Sequence, residues 1–152
     1  MTIYPDTSFV VASRVPHDTF YAEAVDWFEA NQNEVWLWSP WHRIEVFNTI
    51  RQLTRNLDSK RSVSVSEAKA MIYRLEADVR CGYFLHLEAD WRDVLRAASE
   101  ISADNAFDRG CRATDLLHVA YAVELVSDLF VSFDDEQLEI ARGAGLRVER
   151  PR

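Results

Sequence analysis

Short apolar runs rich in β-branched and aromatic residues recur along this chain, and each is followed by a stretch with the 3.6-residue period of a helix. That alternation leaves few folds open. Ile3-Tyr4 ends at Pro5-Asp6 and leads into Thr7 to Ala12, a brief strand running into a helix that Pro16 terminates. From His17 to Ala30, the residues Phe20, Ala24, Trp27 and Phe28 make the stripe of an amphipathic helix. Val35 to Trp38 reads as the next strand, and Ser39-Pro40 as the start of a helix carrying Trp41, Ile44, Glu45 and Phe47 towards about Asn56. After the basic connection Asp58 to Ser62, a helix starting near Ser66 places Met71, Leu75 and Val79 at spacings of four, and Gly82 stops it.

The second half repeats the pattern. Tyr83 to Leu87 suits a strand, and Asp90 to about Ser102 puts Trp91, Val94, Leu95, Ala98 and Ile101 on one helical face. The stretch from Ala103 to Arg112 is the least regular. Thr114 is the expected N-cap of a helix in which nine of the twelve residues from Asp115 to Val126 are apolar, so that helix should be buried. Leu129 to Phe133 is a strand ending at Asp134-Asp135, and Glu136 to Gly143 a short helix before Leu146 to Val148. Strands alternating with helices specify a three-layer α/β/α sandwich around a mainly parallel, short-stranded sheet. With no repeat or linker to divide it, one domain over residues 1–152 is expected.

Cys81 and Cys111 have neither CxxC spacing nor a neighbouring ligand cluster, so both are read as reduced, structural thiols. The N-terminus lacks a signal pattern, and no apolar run approaches the ~18 residues of a membrane span. A cytoplasmic protein is expected.

In a parallel α/β sheet, ligands bind beyond the carboxyl ends of the strands. Asp6 follows the first strand, Asp134 follows the fourth, Asp115 opens the most apolar helix, and Glu45 lies in the helix after the second strand. Each has an ordinary structural alternative: Asp6 and Asp134 or Asp135 as helix caps, Asp115 as a first-turn charge against the helix dipole, Glu45 as a surface partner of Arg43. As a set they mean more. Carboxylates converging at a water-poor sheet edge repel one another unless a cation neutralises them, and oxygen-only ligands select Mg²⁺ or Mn²⁺ over zinc. Such a site can activate water for in-line attack on a phosphodiester.

Tyr4-Pro5-Asp6-Thr7-Ser8, Ile44-Glu45, Ala113 to Ala120 and Phe130 to Asp134 resemble, in order and spacing, the acidic motifs of PIN-domain ribonucleases. The resemblance covers essentially the whole chain, and its size is similar to that of the VapC toxins of type II toxin-antitoxin pairs. It implies that Asp6, Glu45, Asp115 and Asp134 are catalytic and hold one or two Mg²⁺ or Mn²⁺ ions for RNA hydrolysis by metal-activated water. Ser8 and Ser132 match hydroxyl positions that orient metal, water or acids. It further implies a cognate antitoxin as partner, homodimerisation, and no membrane association. Pro5 departs from the family's usual aliphatic residue. The fourth acid is Asp134 or Asp135; the spacing from Ser132 favours Asp134. A non-catalytic PIN-like domain that binds a protein or RNA is the competing class.

His118, three residues after Asp115, is a candidate base or partner of the acids, and equally a satisfied core residue. His42, three before Glu45, is open in the same way. Trp36, Trp38 and Trp41 suit core, oligomer interface or base stacking. Ser8 stands where a haloacid-dehalogenase-type phosphatase needs a second Asp, and Lys60 and Lys69, the only lysines, do not suit a phosphoacceptor receiver domain. No P-loop, GxGxxG or GxSxG motif is present. The net charge of -8 argues against sequence-indifferent binding to polyanions. Two divalent ions would reduce it to -4. Positives do cluster locally: Arg51, Arg55, Lys60 and Arg61 stand against Asp58, and Arg109 and Arg112 precede Asp115.

Overall fold

The computed structural model describes residues 1–55, 60–105, 110 and 112–152. In chain order the elements are β1 (Thr2–Pro5), α1 (Thr7–Ala12), α2 (Tyr21–Ala30), β2 (Val35–Trp38), α3 (Pro40–Gln52), α4 (Val65–Arg80), β3 (Phe84–His86), α5 (Trp91–Asn105), α6 (Ala113–Glu124), β4 (Leu129–Val131), α7 (Asp135–Gly143) and β5 (Val148–Glu149). The strands form one parallel sheet in the order β3-β2-β1-β4-β5. β1 is therefore central, paired with β2 through Ile3–Trp36 and with β4 through Tyr4–Phe130.

Because successive strand residues point to opposite faces, the sheet feeds two cores. Ile3, Trp36, Trp38, Leu129 and Val131 pack with α1 to α4, where Phe9, Phe28, Phe47, Ile50 and Leu75 are buried. Tyr4, Leu37 and Phe130 face α5 to α7, against Val94, Ile101, Val119, Tyr121 and Ile140. Helices thus cover both faces, giving the expected three layers. Trp36 and Trp38 are core residues, 1% exposed, and are not available to stack on bases.

Several expected boundaries move, each for a local reason. The helix expected from His17 begins at Tyr21, because Pro16 is followed by a turn in which the Asp18 carboxylate accepts the Phe20 N–H at 2.9 Å. Arg112, not Thr114, is the N-cap residue of α6, and the Asp115 carboxylate accepts its backbone N–H. Ser64 rather than Ser66 opens α4, through a capping box with Glu67. Ile44 is 60% exposed, so the buried face of α3 is Val46, Phe47 and Ile50. Trp91 and Leu95 are also exposed; α5 buries Val94, Ala97 and Ile101 instead. Cys81, read as structural, is an exposed free thiol at the end of α4. Cys111, Asp58 and Arg109 lie outside the described residues. Among those residues, no helix is long and apolar enough to cross a membrane.

Candidate functional site

β1 and β4 both run out at the same edge of the sheet, and the peptides that follow them carry the first polar groups of the site. Asp6 is only 3% exposed. As N-cap of α1, its carboxylate accepts the Phe9 N–H at 2.9 Å and the Ser8 hydroxyl at 2.7 Å on one oxygen. The other oxygen accepts the Ser132 hydroxyl at 2.8 Å. Ser132, fully buried beyond β4, in turn accepts the Asp134 N–H, and the Ser8 oxygen accepts that of Phe133. These hydroxyls tie the ends of two adjacent strands to one carboxylate. Burial pushes the Asp6 carboxyl above the usual range, against the opposing pull of those hydrogen bonds and of His118.

Glu45 turns inward from α3. Its carboxylate accepts a hydrogen bond from Thr7 at 2.7 Å and a short one from the His118 ring. Arg43, its expected surface partner, pairs with Glu76 instead. Burial raises the Glu45 carboxyl, but the His118 contact, with Thr7 and the Arg112 charge, outweighs it and holds the group below the usual range. Asp115, in the first turn of α6, shifts the other way: burial is the main cause, and the charges of Asp134 and Glu45 add to it. Asp134 is the N-cap of α7, accepting the N–H groups of Glu136 and Gln137 at 3.0 and 3.1 Å.

These four acids line one cavity of about 230 Å³ at the carboxyl edge of the sheet, with Arg61 and Arg112 also in its wall. Asp135 does not line it; it points outward to Arg150 at 3.0 Å and is 79% exposed. Thr7 and Gln137, which sequence reading passed over, both line the cavity. Gln137 is buried and donates to the Asp115 carbonyl at 3.3 Å. Its signal was weak: a polar residue three positions into a helix whose other buried members are apolar. A larger depression of about 670 Å³ beside β5 also holds acids, but there Asp135 and Glu139 are paired with Arg150 and Arg142. In the smaller cavity the carboxylates share hydroxyls, amides and one imidazole, and no Lys or Arg ion pair to them is found among the described residues.

A donor set of four carboxylates, with no thiol and with an imidazole already bonded at both nitrogens, fits a hard divalent cation. Burial raises Asp115 most, and the repulsion that Asp134 and Glu45 add is what such a charge would relieve. Among the described residues no three His, Cys, Asp or Glu side chains stand arranged around a common ion position; the carboxylates are turned toward their protein donors.

No family model and no curated protein matches the sequence itself. Solved structures do. A chain of FitAB bound to the IR36 DNA fragment is 18% identical, with a TM-score of 0.68 over 99% of this chain and 95% of that one. FitAcB from Neisseria gonorrhoeae is 16% identical, with a TM-score of 0.64 over 97% and 96%. VapC20 of Mycobacterium tuberculosis, described as a sarcin-ricin loop cleaving toxin, is 19% identical, with a TM-score of 0.67 over 98% and 99%. Matched over nearly the whole length of each chain, these structures show that this chain has the PIN-type fold.

Proposed function

We propose that the protein is an Mg²⁺- or Mn²⁺-dependent endoribonuclease acting in the cytoplasm as the toxin of a type II toxin-antitoxin pair. The observation that supports this most is the cavity in which Asp6, Glu45, Asp115 and Asp134 meet without a Lys or Arg ion pair among the described residues. The likeness in fold to a toxin that cleaves an RNA loop supports the substrate class, and the FitAB and FitAcB neighbours support an antitoxin as partner. A homodimer accords with the same class.

In this reading the four acids hold the ion. The chemistry such an ion would supply is an electrophile for the scissile phosphate and a more acidic attacking water. The protein's own groups do the rest. Ser8 and Ser132 fix Asp6, His118 and Thr7 fix an ionised Glu45, and Arg112 on the cavity wall draws in substrate phosphates, while Arg61 beside it is paired with the buried Asp18. Asp6→Asn or Asp115→Asn removes a ligand charge at constant volume and should abolish Mg²⁺-dependent RNA cleavage while far-UV circular dichroism stays unchanged. Full cleavage by both variants would overturn the assignment.

One observation favours a second reading, a non-catalytic interaction domain: each carboxylate already serves a cap or a hydrogen bond within the fold. Calorimetric titration with Mn²⁺ separates the two, since purely structural acids give no saturable uptake.

A further inference from the structure

Behind Glu45 runs a buried polar chain, of which the Ser39–His42 pair caps α3 while Tyr4 and His118 serve no cap. From the His118 ring, Nδ1 lies 3.0 Å from the Tyr4 hydroxyl, which lies 3.1 Å from the Ser39 hydroxyl; Ser39 meets His42 Nδ1, and His42 Nε2 meets the Pro5 carbonyl at 2.6 Å. Tyr4, Ser39, His42 and His118 are at most 1% exposed. The chain begins at Glu45 and ends on the peptide that joins Pro5 to Asp6, so it connects two of the four acids through the interior.

Its two ends fix the proton positions on the two rings. The Ser39 N–H donates to His42 Nδ1 at 2.9 Å, so that nitrogen carries no proton and His42 is neutral. The proton sits on Nε2, which donates to the Pro5 carbonyl, an acceptor only. At the other end the Glu45 carboxylate only accepts, so His118 donates to it from Nε2–H and its Nδ1 accepts from the Tyr4 hydroxyl; the Ser39 hydroxyl lies between the two ends, 2.8 Å from His42 Nδ1 and 3.1 Å from Tyr4.

The sheet register explains why His42 stands there. Val35 N–H donates to the Met1 carbonyl, and a parallel ladder steps by two on each strand, so Ser39 N–H is the donor due to Pro5. The His42 ring takes both groups, inserted between the ends of β1 and β2. Pro5 has no N–H to return to β2, which makes this the rung that can open without stranding a donor.

We propose that Tyr4, Ser39, His42 and His118 are positioning residues, a wedge and relay that fix the orientation of the Glu45 carboxylate relative to Asp6. The proposal rests on the reading of those acids as metal ligands, and its own test is read in metal-free protein. With histidine labelled with ¹⁵N, both His42 and His118 should show the Nε2–H tautomer, and the His118 signals should move in Glu45→Gln. An Nδ1–H tautomer at either ring, or His118 signals unmoved in Glu45→Gln, overturns the relay. For function, His118→Ala and Tyr4→Phe should weaken Mn²⁺ affinity about ten- to hundredfold and lower kcat with KM for RNA little changed. His118→Gln, which keeps an N–H within reach of Glu45, should recover most of the affinity. If Tyr4→Phe does not fold, the His118 pair decides; wild-type affinity in folded His118→Ala rejects the positioning role. Wild-type protein that takes up no Mn²⁺ sinks the metal reading, whereas the imidazole spectrum judges the relay by itself.

Discussion

Asp115 is raised and Glu45 lowered, and the two shifts act on folding in opposite directions. A carboxyl raised in the fold binds its proton more tightly there than in the unfolded chain, so its contribution is fully present below the unfolded value and is lost as pH climbs through the folded one. At neutral pH Asp115 therefore carries a cost, and Asp115→Asn should melt no lower than wild type at pH 7, its advantage narrowing as pH falls toward the ordinary aspartate range. Glu45 behaves conversely: its contribution is present above the ordinary glutamate range and fades as pH drops through its lowered value. Glu45→Gln should thus lower the thermal midpoint at pH 7, and scanning calorimetry across pH 4 to 8 checks both variants. At this scale the strand-end acids Asp6 and Asp134 and the first-turn acid Asp115 were legible, because punctuation after an apolar run locates them. The place of Glu45 near Phe47 already suggested a partly buried side, but its bond to the His118 ring, contributed by α6, leaves no local signal. The signal for His42 lay in the three-residue spacing from Ser39, where a capping box ordinarily has Glu or Gln.

α7 shows how one residue can carry an element and a site at once. Asp134 satisfies two N–H groups at the start of this nine-residue helix, and the same carboxylate lines the acid cavity. Asp134→Ala should lose the cap, about 1 kcal/mol, or roughly 2–4 °C of thermal midpoint for a chain this size. Asp134→Ser restores a capping oxygen without the charge, so it should recover the midpoint and leave RNA cleavage and Mn²⁺ affinity impaired. A serine variant with wild-type affinity would leave Asp134 as a cap alone. Element types were readable because strand and helix periods differ, and Trp36, Trp38 and Phe84 have the aromatic content of buried strands. The ends were less so: the start of α2 depended on the Asp18 turn, and the start of α6 on a carboxylate reaching back to Arg112, neither of which leaves a period in the sequence.

Across the whole molecule the charge of -8 and the acid cavity belong together, because a divalent ion, if held as proposed, would offset negatives that the fold concentrates. Mn²⁺ at a hundredfold excess over its dissociation constant should stabilise the protein by about 2.7 kcal/mol, a rise of roughly 5–10 °C that EDTA reverses. The Asp6→Asn variant should show a much smaller rise, which differential scanning fluorimetry can follow. Sheet order also sets a timetable. β1 is synthesised before the other four strands, yet it sits between β2 and β4, and the Ser132 hydroxyl that fixes Asp6 comes from beyond β4. Translation must therefore pass residue 132 and release it from the ribosome before the acid cavity can close. A ribosome-bound nascent chain stalled short of that point carries Asp6 and Glu45 but no assembled site, so the acids synthesised first stay apart until the strand synthesised fourth has left the ribosome.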